Sequence, residues 1–260
     1  MEITLYQADA FTNERFRGNP AAVCPLKQWL PDATLQAIAA ENNLSETAFF
    51  IPKGQDYQLR WFTPAIEVDL CGHATLATAH ILFQHLGYRG NSINFHSRSG
   101  LLSVAREKEH YIMDFPTDIL EPALAPRPLL EALQADPVEV FLGREDFLVV
   151  LESQEQVAQL RPDFRLLRQV KGRGVIVTAP GKEVDFVSRC FFPNAGIDED
   201  PVTGSAHTTM TPYWAERLSK QEMSARQISA RGGDLKCTML GERVAIAGQA
   251  ITYLEGKIWT

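Results

Sequence analysis

An internal repeat restricts the fold of this chain more than any other feature of the sequence. Phe62-Thr-Pro-Ala precedes Gly72-His-Ala-Thr in the first half, and Phe192-Pro-Asn-Ala precedes Gly204-Ser-Ala-His in the second. A glycine turn and a strand-like run follow each pair of segments. The glycines at 72 and 204 are 132 residues apart, about half of the 260 residues. Similar segments in one order at one spacing predict a duplicated domain, so we expect two lobes related by a pseudo-twofold axis.

Each half also contains a helix-like segment without charged side chains. Leu70 to Tyr88 is a run of 19 residues that lacks Asp, Glu, Lys and Arg, and a similar run follows Gly204 as far as Ala215. Three histidines and a glutamine in the first run would be costly in lipid, which favours a buried helix over a membrane span. Such a helix must be covered on nearly all sides. A curled, mostly antiparallel sheet is the simplest cover, which predicts the α+β class.

The boundary between the lobes is predicted from prolines. Short apolar or alternating runs between turn residues predict seven strands in each half. Four prolines between Phe115 and Pro128 discourage regular structure there, because proline lacks an N–H and has a fixed φ. The predicted lobes are residues 1–117 and 118–260, and the first can also receive the C-terminal strand.

Charge and cysteine content exclude several classes of partner. The net charge is −7 and the pI is near 5.4, which opposes binding to nucleic acid or to an anionic membrane. The four cysteines are scattered without a CxxC pair, which is typical of a reducing cytosol. The first twenty residues show no apolar leader segment, so a cytoplasmic location is expected.

The junctions before the two uncharged helices are candidate anion sites. Gly72-His73 and Gly204-Ser205 place small residues at a helix start, where free N–H groups and the helix dipole favour a carboxylate. Alternatively, each glycine only permits a tight turn and Ser205 caps its helix. Duplication favours the functional interpretation, because it would bring both helix starts to one cleft.

Three further residues are candidates for acid/base chemistry. Glu46 directly precedes an apolar strand, and a poorly solvated carboxylate there is a candidate general base, although most glutamates are surface residues. His73 can relay a proton or hold a substrate group, but a histidine of this kind is more often structural. Asp200 can orient such a group or simply complement the helix dipole.

Several motifs closely resemble the PhzF family of phenazine-biosynthesis-like isomerases across nearly the whole chain. They are Gly18-Asn19-Pro20, Asn43-Leu44-Ser45-Glu46-Thr47, Phe62-Thr63-Pro64, Cys71-Gly72-His73-Ala74-Thr75 and Asp200-Pro201-Val202-Thr203-Gly204-Ser205-Ala206. The resemblance implies the diaminopimelate epimerase-like fold, with two pseudo-symmetric lobes, each a barrel-like sheet around a central helix. It also implies a homodimer and a cofactor-free site in the cleft between the lobes.

The resemblance assigns roles to particular residues. It implies that the substrate is a small carboxylic acid. The implied catalytic residues are Glu46, as the acid/base, with His73, Asp200 and Ser205. The implied substrate-binding residues are Asn19, Ser45, Gly72, Ala74 and Gly204.

Cys71 bears on the type of reaction. The related epimerases use two cysteines, one on each face of the α-carbon, whereas here Cys71 precedes Gly72 but Thr203 precedes Gly204. A two-thiol racemase is therefore disfavoured. With Glu46 as the acid/base, we expect a proton to be removed and returned to another carbon of the same molecule.

No cofactor or metal is expected from the motifs. There is no GxGxxG and no P-loop, and Gly172-Arg-Gly174 is interpreted as a turn. His73 and His80 lie about two helical turns apart and are poorly placed, with Cys71, to share an ion. The leading hypothesis is a cofactor-independent isomerase of a small cyclic or unsaturated carboxylic acid. The alternatives are a one-cysteine amino-acid epimerase and a non-catalytic small-molecule-binding protein.

Overall fold

The computed structural model describes residues 1–260 and divides them into two compact units. Unit 1 contains Met1–Asp114 and Ala247–Thr260, and unit 2 contains Phe115–Ile246. The chain leaves unit 1 after Asp114, three residues before the boundary predicted from the prolines, and its C-terminal segment belongs to unit 1. No helix has the length and apolar character needed to cross a membrane.

Unit 1 is built from strands that pack against one buried helix. Its strands are β1 (Glu2–Ala10), β2 (Asn19–Pro25), β3 (Glu46–Lys53), β4 (Asp56–Phe62), β5 (Glu67–Val68), β6 (Ser92–Ser97), β7 (Gly100–Glu107), most of β8 (His110–Pro116), and β18 (Ala250–Trp259). Its helices are α1 (Asp32–Asn42) and α2 (Gly72–Gln84). The eleven residues from His73 to Phe83 are all buried, and α2 packs against β1, β2, β3, β7 and β18. The uncharged run is therefore a covered helix, as predicted.

Unit 2 has a similar strand framework with more short helices. Its strands are β9 (Glu121–Pro122), β10 (Glu139–Leu142), β11 (Asp146–Val150), β12 (Gly174–Pro180), β13 (Phe186–Phe192), β14 (Ile197–Asp200), β15 (Glu222–Gln227), β16 (Gly233–Leu240) and most of β17 (Arg243–Gly248). Its helices are α3 (Arg127–Leu133), α4 (Gln154–Gln159), α5 (Phe164–Leu167) and α6 (Gly204–Leu218), with a 3₁₀ turn at Pro193–Ala195.

The order of strand pairing shows that the two units repeat one topology. In unit 1, β1 and β2 pair antiparallel, β2 and β3 parallel, β3 and β4 antiparallel, β4 and β6 parallel, and β6 and β7 antiparallel. The pairs β10–β11, β11–β12, β12–β13, β13–β15 and β15–β16 follow the same order in unit 2. Gly72 and Gly204 are the first residues of corresponding helices. The duplication inferred from the sequence is thus confirmed by the pairing.

Helix α6 contains a proline, and a hydrogen bond from outside the helix replaces the one that this proline cannot donate. Pro212 has no N–H, so the carbonyl of Thr208 lacks its usual donor within the helix. The backbone N–H of Asp118 donates to Thr208 O at 3.2 Å, and Thr209 Oγ1 donates to the Asp118 carboxylate at 3.0 Å. The segment after β8 therefore anchors α6 at the position where the helix ladder is interrupted.

Candidate active site

In unit 1, the predicted acid/base residue lies against the start of the buried helix. Glu46 is the first residue of β3 and is only 9% exposed, so it is not a surface loop residue. His73 is the second residue of α2 and is 6% exposed. Glu46 Oε2 lies 3.2 Å from His73 Nε2. Strand β3 and helix α2 thus bring together two residues that are 27 positions apart.

The other ring nitrogen of His73 contacts two more polar groups. Asn19 Nδ2, from the first residue of β2, lies 3.3 Å from Nδ1 of the imidazole. Cys71 Sγ lies 3.5 Å from the same nitrogen. The ring therefore lies between a carboxylate on one side and a thiol and an amide on the other. These contacts fix its orientation.

Burial and neighbouring polar groups shift the pKa values of Cys71 and His73. Burial, together with the Glu46 carboxylate, raises the pKa of the Cys71 thiol, so the thiol is protonated at neutral pH. Burial alone would lower the pKa of His73, but the contact with Cys71 Sγ as an acceptor and the Glu46 carboxylate outweigh it and raise that pKa well above its ordinary value. This raised pKa favours a charged imidazole beside the Glu46 carboxylate.

The same three side chains are the one group with the composition of a metal site. One ligand atom from each of Glu46, Cys71 and His73 lies within 4.8 Å of the others. However, the imidazole directs Nε2 at Glu46 and Nδ1 at Cys71. Each ring nitrogen therefore already faces its own partner. The geometry fits proton sharing better than coordination of a single ion.

In unit 2, a buried hydrogen-bond network holds the chain as it enters α6. Asp200, the last residue of β14, accepts a hydrogen bond from Thr203 Oγ1 at 2.5 Å. Gln227 Oε1 accepts from the Thr203 N–H at 2.8 Å, and Gln227 Nε2 donates to the Asp200 carbonyl at 2.7 Å. No motif marked Gln227 as important, because it is a polar residue in an ordinary strand. Its two contacts identify it as a positioning residue for the helix start.

The starts of α2 and α6 share the features of an anion-binding site. The N-cap residues are Cys71 and Thr203, both with extended backbones, and neither side chain caps its helix. Ser205 is the second residue of α6 and is not its N-cap. The alternative in which Ser205 only caps the helix is therefore wrong. The first-turn N–H groups of both helices are without a capping side chain.

The remaining predicted residues lie beside these helix starts in their own units. Gly72 and Ala74 are in the first turn of α2, where Ala74 is fully buried and its backbone N–H faces the Cys71 thiol. Ser45 directly precedes β3 and is half-buried, and Gly204 begins α6. The predicted residues therefore form two groups, one at the start of each buried helix.

Comparison with known proteins identifies the family. The family model for phenazine biosynthesis-like proteins, PhzC-PhzF, matches residues 8–256. The chain belongs to this family. An uncharacterized isomerase of Pseudomonas aeruginosa is 54% identical over 258 residues, which cover 99% of both chains. A crystal structure of a PhzF family protein from Enterococcus faecalis has a TM-score of 0.98 at 49% identity and covers all of both chains.

The fold extends to more distant enzymes. A hydroxyproline epimerase from Agrobacterium vitis, solved with trans-4-hydroxy-L-proline, has a TM-score of 0.65 at 8% identity and covers 99% of this chain and 92% of its own. At this identity the likeness concerns the fold alone. The PhzF family member thus has the α+β epimerase-like fold that the sequence predicts.

Proposed function

We propose that this chain is an isomerase that moves a proton within a small cyclic or unsaturated carboxylic acid, with Glu46 as the acid/base. The observation that carries the proposal is the buried contact between Glu46 and His73 at the start of α2. The contact orients the carboxylate at the place where the first turn of α2 offers N–H groups to a substrate. The family match and the isomerase name of the Pseudomonas relative support the coarser assignment.

The proposed reaction only relocates a proton. Glu46 removes a proton from an acidified carbon, and the electron pair of that C–H bond moves into the conjugated carboxylic acid. The protonated Glu46 then returns the proton to another carbon of the same molecule, and the carbon–carbon double bond shifts. No electrons are exchanged with a second reactant, so this chemistry requires no redox cofactor.

Residues at the starts of α2 and α6 are proposed to position the substrate. Gly72 and Ala74 are proposed to bind the substrate beside Glu46, together with Asn19 and Ser45. His73 holds the Glu46 carboxylate in place and shares its proton. Asp200, Ser205 and Gly204 are proposed to serve the same reaction, Asp200 and Ser205 through proton movement and Gly204 through binding.

A one-cysteine epimerase is the second candidate, because Cys71 contacts the same imidazole as Glu46. In that reaction Glu46 would remove the proton from one face of a carbon and Cys71 would supply one to the other face. Thr203 stands at the position in unit 2 that corresponds to Cys71, so a second thiol is absent from that helix start.

The homodimer stays a prediction that sedimentation of the purified chain would test.

Deuterium uptake tests the proposed function. The protein is incubated in heavy water with a panel of cyclic unsaturated carboxylic acids, and exchange is followed by mass spectrometry. We expect wild type to exchange a carbon-bound proton of at least one acid, and Glu46→Gln to lower the rate about 10²- to 10⁴-fold. Glu41→Gln, which changes an exposed glutamate of the same unit, is the matched control and is expected to behave as wild type.

Two outcomes contradict the proposal. One is a Glu46→Gln variant that exchanges at the wild-type rate. The other is a wild-type protein that neither isomerises nor exchanges any acid of the panel, because a proton-shift isomerase must break one C–H bond of its substrate and make another.

A further inference from the structure

Arg173 lies between two glycines, and both occupy backbone positions that disfavour any other residue. Gly172 has a φ of +115°, which is unfavourable for other residues. A Cβ on Gly174 would lie 2.3 Å from the carbonyl oxygen of Phe191, so a side chain is excluded there as well. The Gly172-Arg-Gly174 segment is therefore more than a turn. Its two glycines place the side chain of Arg173 at the start of β12.

The guanidinium group of Arg173 is held in one orientation. Its Nε donates to Asp146 Oδ1 at 3.0 Å, and its Nη2 donates to Asp146 Oδ2. Asp146 is 3% exposed, and the parallel pairing of β11 and β12 sets it opposite Gly174. The ring of Phe192 lies under the guanidinium, with its centre 4.9 Å from Cζ. An arginine fixed in this way needs little further ordering to bind a ligand.

Arg173 also contacts the helix start that belongs to the candidate site. Its Nη2 lies 3.4 Å from the hydroxyl oxygen of Ser205, the second residue of α6. Asp146 engages the Nε and Nη2 edge and Glu145 Oε2 lies 3.6 Å from Nε, so both carboxylates are on that edge and the Nη1 amino group is left for a ligand. The side chain is 35% exposed, unlike Asp146, so solvent and small molecules can reach it.

The duplication makes Arg173 the counterpart of Glu46. In unit 1, Thr47 pairs with Phe62, and Glu46 is the residue before Thr47. In unit 2, Val175 pairs with Phe191, which sets Gly174 opposite Phe192, the repeat equivalent of Phe62. The residue before Gly174 is Arg173.

The partners of these two residues correspond as well. Glu46 contacts the second residue of α2, His73, and Arg173 contacts the second residue of α6, Ser205. The repeat thus carries a carboxylate in one unit and a guanidinium in the other at the same structural position.

We infer that Arg173 is a specificity-determining residue that binds an anionic group of the substrate, a carboxylate, beside Ser205. A guanidinium group is opposite in charge to a carboxylate and is planar, as a carboxylate is. Ser205 supplies an additional hydroxyl. The inference rests on the proposed function for the identity of the reaction. It concerns binding, whereas Glu46 concerns proton transfer, so the two can fail separately.

A matched pair of ligands tests this inference. The probes are cyclohex-1-ene-1-carboxylate and its uncharged carboxamide, and binding to the full chain is measured by titration calorimetry. We expect wild type to bind the carboxylate more tightly than the carboxamide. Arg173→Gln should weaken carboxylate binding about 10- to 100-fold, the effect of losing a charge-assisted hydrogen bond, and leave carboxamide binding within threefold.

Two further variants keep the test decisive. Arg226→Gln is the matched control, because Arg226 is equally exposed and ion-paired in unit 2, and it should leave binding of both probes unchanged. Arg173→Lys keeps the charge but loses the planar fork, so it should recover part of the carboxylate affinity. If Arg173→Gln fails to fold, the carboxylate affinity of Arg173→Lys decides whether Arg173 binds the carboxylate.

The inference is overturned if wild type shows no preference for the carboxylate, or if the Arg173 variants bind it within threefold of wild type. Unchanged binding in these variants, with exchange lost in Glu46→Gln, would refute this inference alone. Persistent exchange in Glu46→Gln, with carboxylate binding lost in Arg173→Gln, would refute only the proposed function.

Discussion

Replacing Gln227 by leucine is expected to destabilise the entry into α6. The side chain is fully buried, and it bonds the backbone of Thr203 and Asp200 as well as the Thr203 hydroxyl, which lies 3.3 Å from Nε2. Leucine has nearly the same volume, so the change removes hydrogen bonds without opening a large cavity. The effect therefore reports on the polar network itself.

The expected magnitude follows from the three bonds. Depriving the buried Thr203 N–H of its acceptor costs about 1–3 kcal/mol, and each of the other two bonds contributes roughly 0.5–1.5 kcal/mol. The free energy of unfolding should fall by about 2–6 kcal/mol. At about 2–4 °C for each kcal/mol in a domain of this size, the midpoint of thermal unfolding should fall by roughly 4–24 °C.

Urea unfolding followed by tryptophan fluorescence measures this change. Gln221→Leu alters an exposed glutamine in the same unit and is expected to change the free energy of unfolding by less than 0.5 kcal/mol, as roughly expected of a surface site. If Gln227→Leu costs less than about 1 kcal/mol, the network does not hold the helix start and the reasoning is refuted.

Three further predictions concern packing, pH and thiol reactivity. Leu76→Ala removes a fully buried side chain from α2 and should lower the free energy of unfolding by about 2–5 kcal/mol in urea; a cost below about 1 kcal/mol would contradict the buried-helix account. Burial lowers the pKa of His207 to about 4, so the folded state resists a proton that the unfolded state accepts below about pH 6.5. Stability should therefore fall as the pH decreases from about 6.5 towards 4, and an equally steep fall in His207→Phe would refute this cause. All four cysteines are buried and burial raises the pKa of each, so Ellman's reagent should react slowly with the native protein and with four thiols after unfolding; one rapidly reacting native thiol would contradict this.

The two buried helices and the duplication could be predicted because each leaves a pattern in the sequence itself. An uncharged run after Gly72 and another after Gly204 identify two buried helices, and their common spacing identifies the repeat. Glu46 could be found for the same reason, since it directly precedes an apolar strand. The helices and Glu46 are marked by neighbouring residues, and the repeat is found by comparing the two halves of the sequence.

The contacts made by strand pairing could not be predicted in this way. Arg173 meets Asp146 and Ser205 only because β11 and β12 pair in one register and α6 begins beside them. Gln227 reaches Thr203 from a strand that follows α6. A single arginine between glycines, or a single glutamine in a strand, carries no local signal of such partners.

Short helices were missed for a different reason. α4 and α5 have six and four residues, too few for a periodic apolar face. The signal that could have found α4 is its capping box, in which Ser153 and Gln156 bond each other's backbone N–H groups. A search for caps, in addition to periodicity, would have located this helix.

The central claim, that Glu46 carries the proton, is tested most directly by comparing Glu46→Gln with Cys71→Ser on one accepted acid in heavy water. Gln keeps the shape of Glu but cannot accept and return a proton, whereas Ser removes only the thiol. We predict that kcat for deuterium incorporation falls about 10²- to 10⁴-fold in Glu46→Gln, with KM within threefold, and stays near wild type in Cys71→Ser. Exchange that persists in Glu46→Gln and vanishes in Cys71→Ser would contradict the account and favour the one-cysteine epimerase.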